Sequence, residues 1–171
     1  LTPQDTAHNH PQPPAGWRRL GARLPILVFR AGLGSLFRRR LLMLHHLGRV
    51  SGLGRRVVLE VVDYDPRLGA WTVASGFGTK ADWYRNLRRS PQTVIQVGSR
   101  HYAVTAVFLS PEEGAGIMAL YARRHPRTAH RLCTLMGFPV DGGEASFRRA
   151  GRSIPFVRLK SAPGIRLPGA A

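Results

Sequence analysis

The sequence predicts an α+β fold: a mostly antiparallel sheet or small barrel of about six strands, with flanking helices. Short β-branched runs follow one another across tight turns, and few helical segments sit where a parallel crossover would need them. The chain has 171 residues and is 43% hydrophobic, the size and composition of one ordinary domain with a substantial core.

Residues 1–15 (LTPQDTAHNHPQPPA) are polar and Pro-rich, with neither a basic n-region nor an apolar run, and read as a disordered lead-in to a single domain over 16–160. From 16 to 37 the period is helical. Leu20, Leu24, Leu27, Val28 and Ala31 share a stripe, Arg18, Arg19, Arg23 and Arg30 surround it, and Pro25 is expected to break it. Such a segment either caps one end of the core or rests on a membrane surface, peripheral to the inner face.

Leu41–Leu47 is a short apolar strand ending at Gly48, and Arg56–Tyr64 is a longer one with only Glu60 polar in its middle. Asp65-Pro66-Arg67-Leu68-Gly69 is turn chemistry leading into Ala70–Ser75. Lys80–Arg89 has the pattern of a short helix stopped by Ser90-Pro91. Thr93–Val97 and His101–Leu109 flank Gly98-Ser99-Arg100 as a hairpin, with Tyr102, Val104, Ala106 and Phe108 on one face. Ser110-Pro111-Glu112-Glu113 starts a helix with Ser as cap, Pro at N1 and Glu at N3. It runs to about His125, and Pro126 ends it or begins another to Met136. Gly137–Gly143 is a loop, Glu144–Ala150 a final helical turn or two, Ser153–Lys160 the last strand, and 161–171 a flexible Pro/Gly-rich tail.

Twenty-six Lys and Arg oppose nine Asp and Glu, a formal charge of +17, and all but Lys80 and Lys160 of those bases are Arg. A planar guanidinium suits phosphate and carboxylate, so the balance points to anionic ligands or to an Arg-rich but otherwise ordinary surface. Nucleic-acid binding has only the net charge in its favour, because the arginines are spread along the chain and no recognition motif occurs. The lone Cys133 excludes an internal disulfide, fits a reducing compartment such as the cytoplasm, and sits beside Leu132 and Leu135 as a buried thiol. No metal site is expected. Adjacent His45 and His46 point to opposite faces of a strand, and His125 and His130 miss a common helical face. The G-x-S-x-G elbow, the Rossmann fingerprint and the Walker A loop are all absent.

Two stretches carry chemistry. Gly48-Arg49-Val50-Ser51-Gly52-Leu53-Gly54-Arg55-Arg56 puts glycines, a hydroxyl and guanidinium groups between two strands, equipment for gripping an anion, or simply a basic hairpin loop. Val73-Ala74-Ser75-Gly76-Phe77-Gly78, followed by Lys80–Leu87, offers small residues at a strand end for a flat ligand, with Ser75 as donor and Trp83-Tyr84 as wall. Trp83 and Leu87, four apart, equally form the buried face of a short helix.

Taken together, LLMLHHLGRVSGLGRRVVLEVV, TVASGFGTKADWYRNLRRSPQTVIQVG and SIPFVRLK resemble the deazaflavin-dependent nitroreductase family, from about Leu41 to Lys160. The resemblance implies a split β-barrel and the 5-deazaflavin coenzyme F-420, with its phosphodiester and acidic oligoglutamate tail; FMN is the lesser alternative. It implies that Arg49, Val50, Ser51 and Arg55 contact the charged end, and that Arg56, Val57, Val58 and Leu59 run into the ring-lining strand. Ala74, Ser75 and Gly76 would lie against the ring, and Asp82, Trp83, Tyr84 and Asn86 would belong to the flanking helix. Ser75, with Tyr84, is expected to be catalytic by stabilising charge on the acceptor. Val50 stands where a second basic residue is common, Leu47 where Thr is usual, and no Tyr follows Tyr121 in the late helical region. The implied reaction is hydride transfer from reduced F-420 to a small electron-poor acceptor: an activated alkene, quinone, imine or nitroaromatic. The alternative is a noncatalytic split barrel holding a fatty acid. The sequence leaves monomer and homodimer equally open.

Overall fold

Six antiparallel strands close into a barrel in the order β1-β2-β3-β6-β5-β4 in the computed structural model, which describes residues 40–167 and side chains as far as Ser161. The strands are β1 (Leu41–Leu47), β2 (Gly54–Asp65), β3 (Ala70–Ala74), β4 (Gln92–Val97), β5 (Arg100–Phe108) and β6 (Phe156–Leu167). The helices are α1 (Asp82–Arg89), α2 (Pro111–Arg124), α3 (Pro126–Leu135) and α4 (Glu144–Ser153), with a single 3-10 turn over Gly78–Lys80 before α1. The lead-in and the amphipathic segment expected over 1–37 lie outside the described residues. Among the described residues no helix is long and apolar enough to cross a membrane.

Each element follows from local chemistry. The first four residues of β1 are apolar rather than alternating because both faces are covered there: Leu42 and Leu44 point into the barrel and are fully buried, and Met43, on the other face, is 2% exposed. The Asp65 carboxylate accepts from the backbone N–H of Arg67 and Leu68, and Gly69 supplies the positive φ that turns β2 into β3. At the start of α2 the Ser110 hydroxyl accepts from the Glu113 N–H while the Glu113 carboxylate accepts from the Ser110 N–H, a full capping box. His125 ends α2, and Pro126 begins α3 at its first turn.

The last strand corrects an expectation. It begins at Phe156 rather than Ser153 and continues to Leu167, through residues read as a flexible tail. Pro163 and Gly164 are accommodated because the ladder with β5 shifts register between Tyr102 and Val104, opposite this segment, where a missing N–H costs no regular ladder bond.

Two apolar clusters hold the molecule. The barrel interior gathers Leu42, Leu44, Val73, Ile95, Val157 and Leu159, and Trp83 and Leu87 of α1 join it. Burying each of these side chains contributes about 1.5–3 kcal/mol. The second cluster joins Val62 and Phe156 to the helices through Met118, Ala129, Cys133, Phe147 and Ala150. The Tyr121 hydroxyl, donating to Glu60 Oε1 at 2.8 Å, pins α2 to β2.

Candidate active site

The hairpin between β1 and β2 is built to present donors outward. Gly52 takes a φ of +66°, its N–H donates to the Gly48 carbonyl at 2.8 Å, and the Gly48 N–H donates to Leu53 O at 2.8 Å. A side chain at Gly48 would come within 2.6 Å of Ser51 Oγ and 3.1 Å of Arg55 Nε, so only glycine lets that hydroxyl and guanidinium converge.

This loop is fastened to α1 by a hydrogen-bonded chain. Asn86 Oδ1 accepts from the Arg49 backbone N–H at 3.0 Å and from Arg49 Nη1 at 3.1 Å. Arg49 Nη1 also reaches Asp82 Oδ1 at 2.9 Å, and that contact, first, holds the Asp82 carboxyl below the usual range. Asn86 Nδ2 lies 2.9 Å from His46 Nδ1. Burial, then the Arg55 guanidinium opposite, lowers the His46 pKa to about 4, so this imidazole is neutral.

A 300 Å³ cavity over the loop is lined by Gly48, Ser51, Arg55, Asp82 and Asn86, together with Arg49 and Val50. Arg49 and Val50 also line a larger cleft of 750 Å³, completed by Thr79, Tyr84, Arg85, Arg88 and Arg89. Tyr84 stands edge-on to Phe108, ring centroids 5.0 Å apart, and the Arg88 guanidinium lies 4.9 Å from the same Phe108 ring. Arg85, Arg88 and Arg89 make no ion pair among the described residues, so among those residues the cleft carries a surplus of positive charge.

The structure brings together part of the expected set. Arg49, Val50, Ser51, Arg55, Asp82, Tyr84 and Asn86 meet around these two cavities. Arg56 does not: it lines a 540 Å³ cleft with His45, Gln92 and Thr93, which Arg55 and His46 also border. Val57 and Leu59 pack against the barrel core, leaving Val58 on the outer face. Trp83, 7% exposed, is a core residue. Ala74 packs against the helical cluster, and Gly76 lies under Met136, whose Cε would be 3.3 Å from an added Cβ. Ser75 departs most from expectation: it is 1% exposed and its hydroxyl donates to the Gly78 carbonyl at 2.7 Å, closing the turn before α1. Burial raises the Cys133 thiol to about 11, as suits an inert core residue.

Thr79, Arg85, Arg88 and Arg89 were not singled out from the sequence. Their signal was present in part: Asp82, Arg85 and Arg89 are spaced three and four apart, one face of a helix.

The profile of the family described as F420H(2)-dependent quinone reductase matches residues 28–136, more than half of the chain. The chain belongs to that family. A relative from Mycobacterium tuberculosis (strain ATCC 25618 / H37Rv), Rv3178, named as an F420H(2)-dependent quinone reductase, is 38% identical over 87 residues, covering 48% of this chain and 71% of its own. Two solved structures share the fold. Atu2129 from Agrobacterium tumefaciens str. C58 matches with a TM-score of 0.53 and 14% identity over 92% of this chain and 66% of its own. A pyridoxamine 5'-phosphate oxidase-related, FMN-binding protein from Nostoc punctiforme PCC 73102 matches at 0.50 and 13%, over 86% and 81%. The barrel of this reductase is thus the split barrel of the pyridoxamine-phosphate-oxidase type. The reductase is an F-420-dependent oxidoreductase, passing hydride from the reduced deazaflavin to a small-molecule acceptor.

The residues present suit that coenzyme's charged end. The loop cavity and the cleft together offer three hydroxyls, of Ser51, Thr79 and Tyr84, and five guanidinium groups, with Asp82 the one carboxylate on their walls.

Proposed function

We propose that the acceptor is a quinone and that the loop cavity and the arginine cleft hold the anionic end of F-420. The observation carrying this reading is that the two spaces share Arg49 and Val50 as walls. Bound reduced F-420 supplies a hydride from C5. The chain's own part is to bind and orient. Arg55 and Ser51 present donors in the loop, Arg85, Arg88 and Arg89 neutralise negative charge along α1, and Tyr84 walls the cleft. Positive potential there also favours negative charge growing on a quinone oxygen, and the one proton that completes the hydroquinone after hydride transfer comes from water through the open cleft. Ser75 acts in this scheme as a positioning residue for the Gly78 turn.

Titration with oxidised F-420, FMN and a fatty acid tests the reading. We expect selective deazaflavin binding with Kd micromolar or better, about −8 kcal/mol. Reduced F-420 should then be oxidised on addition of menadione. Preference for FMN, or fatty-acid binding without deazaflavin affinity, would overturn it.

A further inference from the structure

We infer that Asn86 and His46 are positioning residues that set the Arg49 loop from beneath, with His46 acting as a neutral imidazole protonated on Nε2. The inference deepens the proposed coenzyme reading of the loop and rests on it for its functional consequence; the lock itself stands on geometry.

Asn86 is 2% exposed, and every polar atom of its carboxamide is engaged within the protein. It also lines the loop cavity, and its burial adds the task of holding the loop in place. Its oxygen faces two donors, the Arg49 N–H and Nη1, which decides the flip of the amide. The –NH₂ group must then face His46, and His46 Nδ1, 2.9 Å away, has to accept. An imidazole accepting on Nδ1 carries its proton on Nε2. Protonating Nδ1 would set donor against donor, and flipping the amide would turn the –NH₂ onto both Arg49 donors.

The surroundings support the neutral form. Burial opposes a positive charge at His46 most, Arg55 on β2 and His45 on β1 oppose it further, and among the described residues only Asp82 on α1 favours it. The other tie from loop to helix, Arg49 to Asp82, has a carboxylate side chain 78% exposed, where an ion pair contributes little. The buried Asn86 bonds therefore do most to hold the loop's donors in place.

Nitrogen-15 NMR of the His46 ring in the full chain is the direct test. We expect a neutral ring with its proton on Nε2 at pH 7; an imidazolium or an Nδ1–H tautomer would overturn the lock. Asn86→Ala should raise the F-420 Kd about tenfold or more, with a smaller factor lost from kcat at saturating coenzyme. Asn86→Asp keeps two acceptors for Arg49. Facing that carboxylate, His46 should take a proton on Nδ1, a change visible in the same spectrum. Asn86→Ala binding as tightly as wild type, or Asn86→Asp leaving the His46 ring as in wild type, would overturn the positioning role. If Asn86→Ala fails to fold, the Asn86→Asp variant and the wild-type ring spectrum decide. Absence of any deazaflavin binding by wild type would sink the coenzyme reading, while the tautomer still judges the lock.

Discussion

Ser75 and Gly78 are joined by a 2.7 Å hydrogen bond from hydroxyl to carbonyl, and the Gly78 N–H returns one to Ser75 O at 3.0 Å. This reciprocal pair closes the turn that delivers α1 to the barrel, and Gly78 holds a φ of +64° within it.

Ser75→Ala should therefore cost stability first, because it leaves the Gly78 carbonyl with only the longer 3.4 Å bond from the Ala81 N–H. A loss of about 1–2 kcal/mol is expected, lowering Tm by about 2–6 °C in thermal melts followed by circular dichroism. A hundredfold fall in kcat with an unchanged melt would return Ser75 to the acceptor side.

The His46 imidazole titrates near pH 6.5 when free and near 4 in the folded chain. Between those values the unfolded chain binds more protons, so stability should rise with pH across that window, flatten above it, and be lost as the pH falls toward 4. The step amounts to roughly 3 kcal/mol at most. Urea midpoints at a series of pH values should show it, and His46→Gln should flatten it.

α2 and α4 meet at two glycines. A methyl group on Gly114 would sit 2.5 Å from the Gly151 carbonyl oxygen, and one on Gly151 2.7 Å from Met118 Cβ. Gly114→Ala should force the helices apart at a cost of about 1–3 kcal/mol, read from the shift in denaturant midpoint. An unchanged midpoint would mean that the helices slide apart freely.

Arg89 lines the cleft without an ion-pair partner among the described residues. Arg89→Ala should weaken F-420 binding by about tenfold, and added salt should shrink the difference between variant and wild type. A deazaflavin lacking the phosphate and acidic tail should bind both proteins alike. Equal weakening of the uncharged ligand would reassign Arg89 to shaping the cleft.

Much of the fold was legible because local chemistry and tertiary structure agree. The Leu41–Leu47 strand, the Ser110–Glu113 capping box and the Pro126 helix start stand where their residue types place them. β6 was read too short because Pro163 and Gly164 break strands when judged alone, and only the register shift opposite them makes room. The loop of the site was legible from its glycines and arginines; its anchor was not. Nothing in the order of residues says that Asn86 reaches back to Arg49 and His46, because side-chain amides take their partners from whatever packing brings near.

By itself, the sequence determined the strand and helix inventory, the family, and a basic loop suited to an anion, since these follow from periodicity, turn chemistry and motif order. Tertiary structure decided which of those donors converge. Barrel closure gives Arg55 a wall of the loop cavity that Arg56 does not reach, buries Ser75 and Trp83, and sets Arg85, Arg88 and Arg89 beside the loop. The physical reason is that strand alternation and helix docking assign each side chain a direction, and direction separates a ligand contact from a core residue.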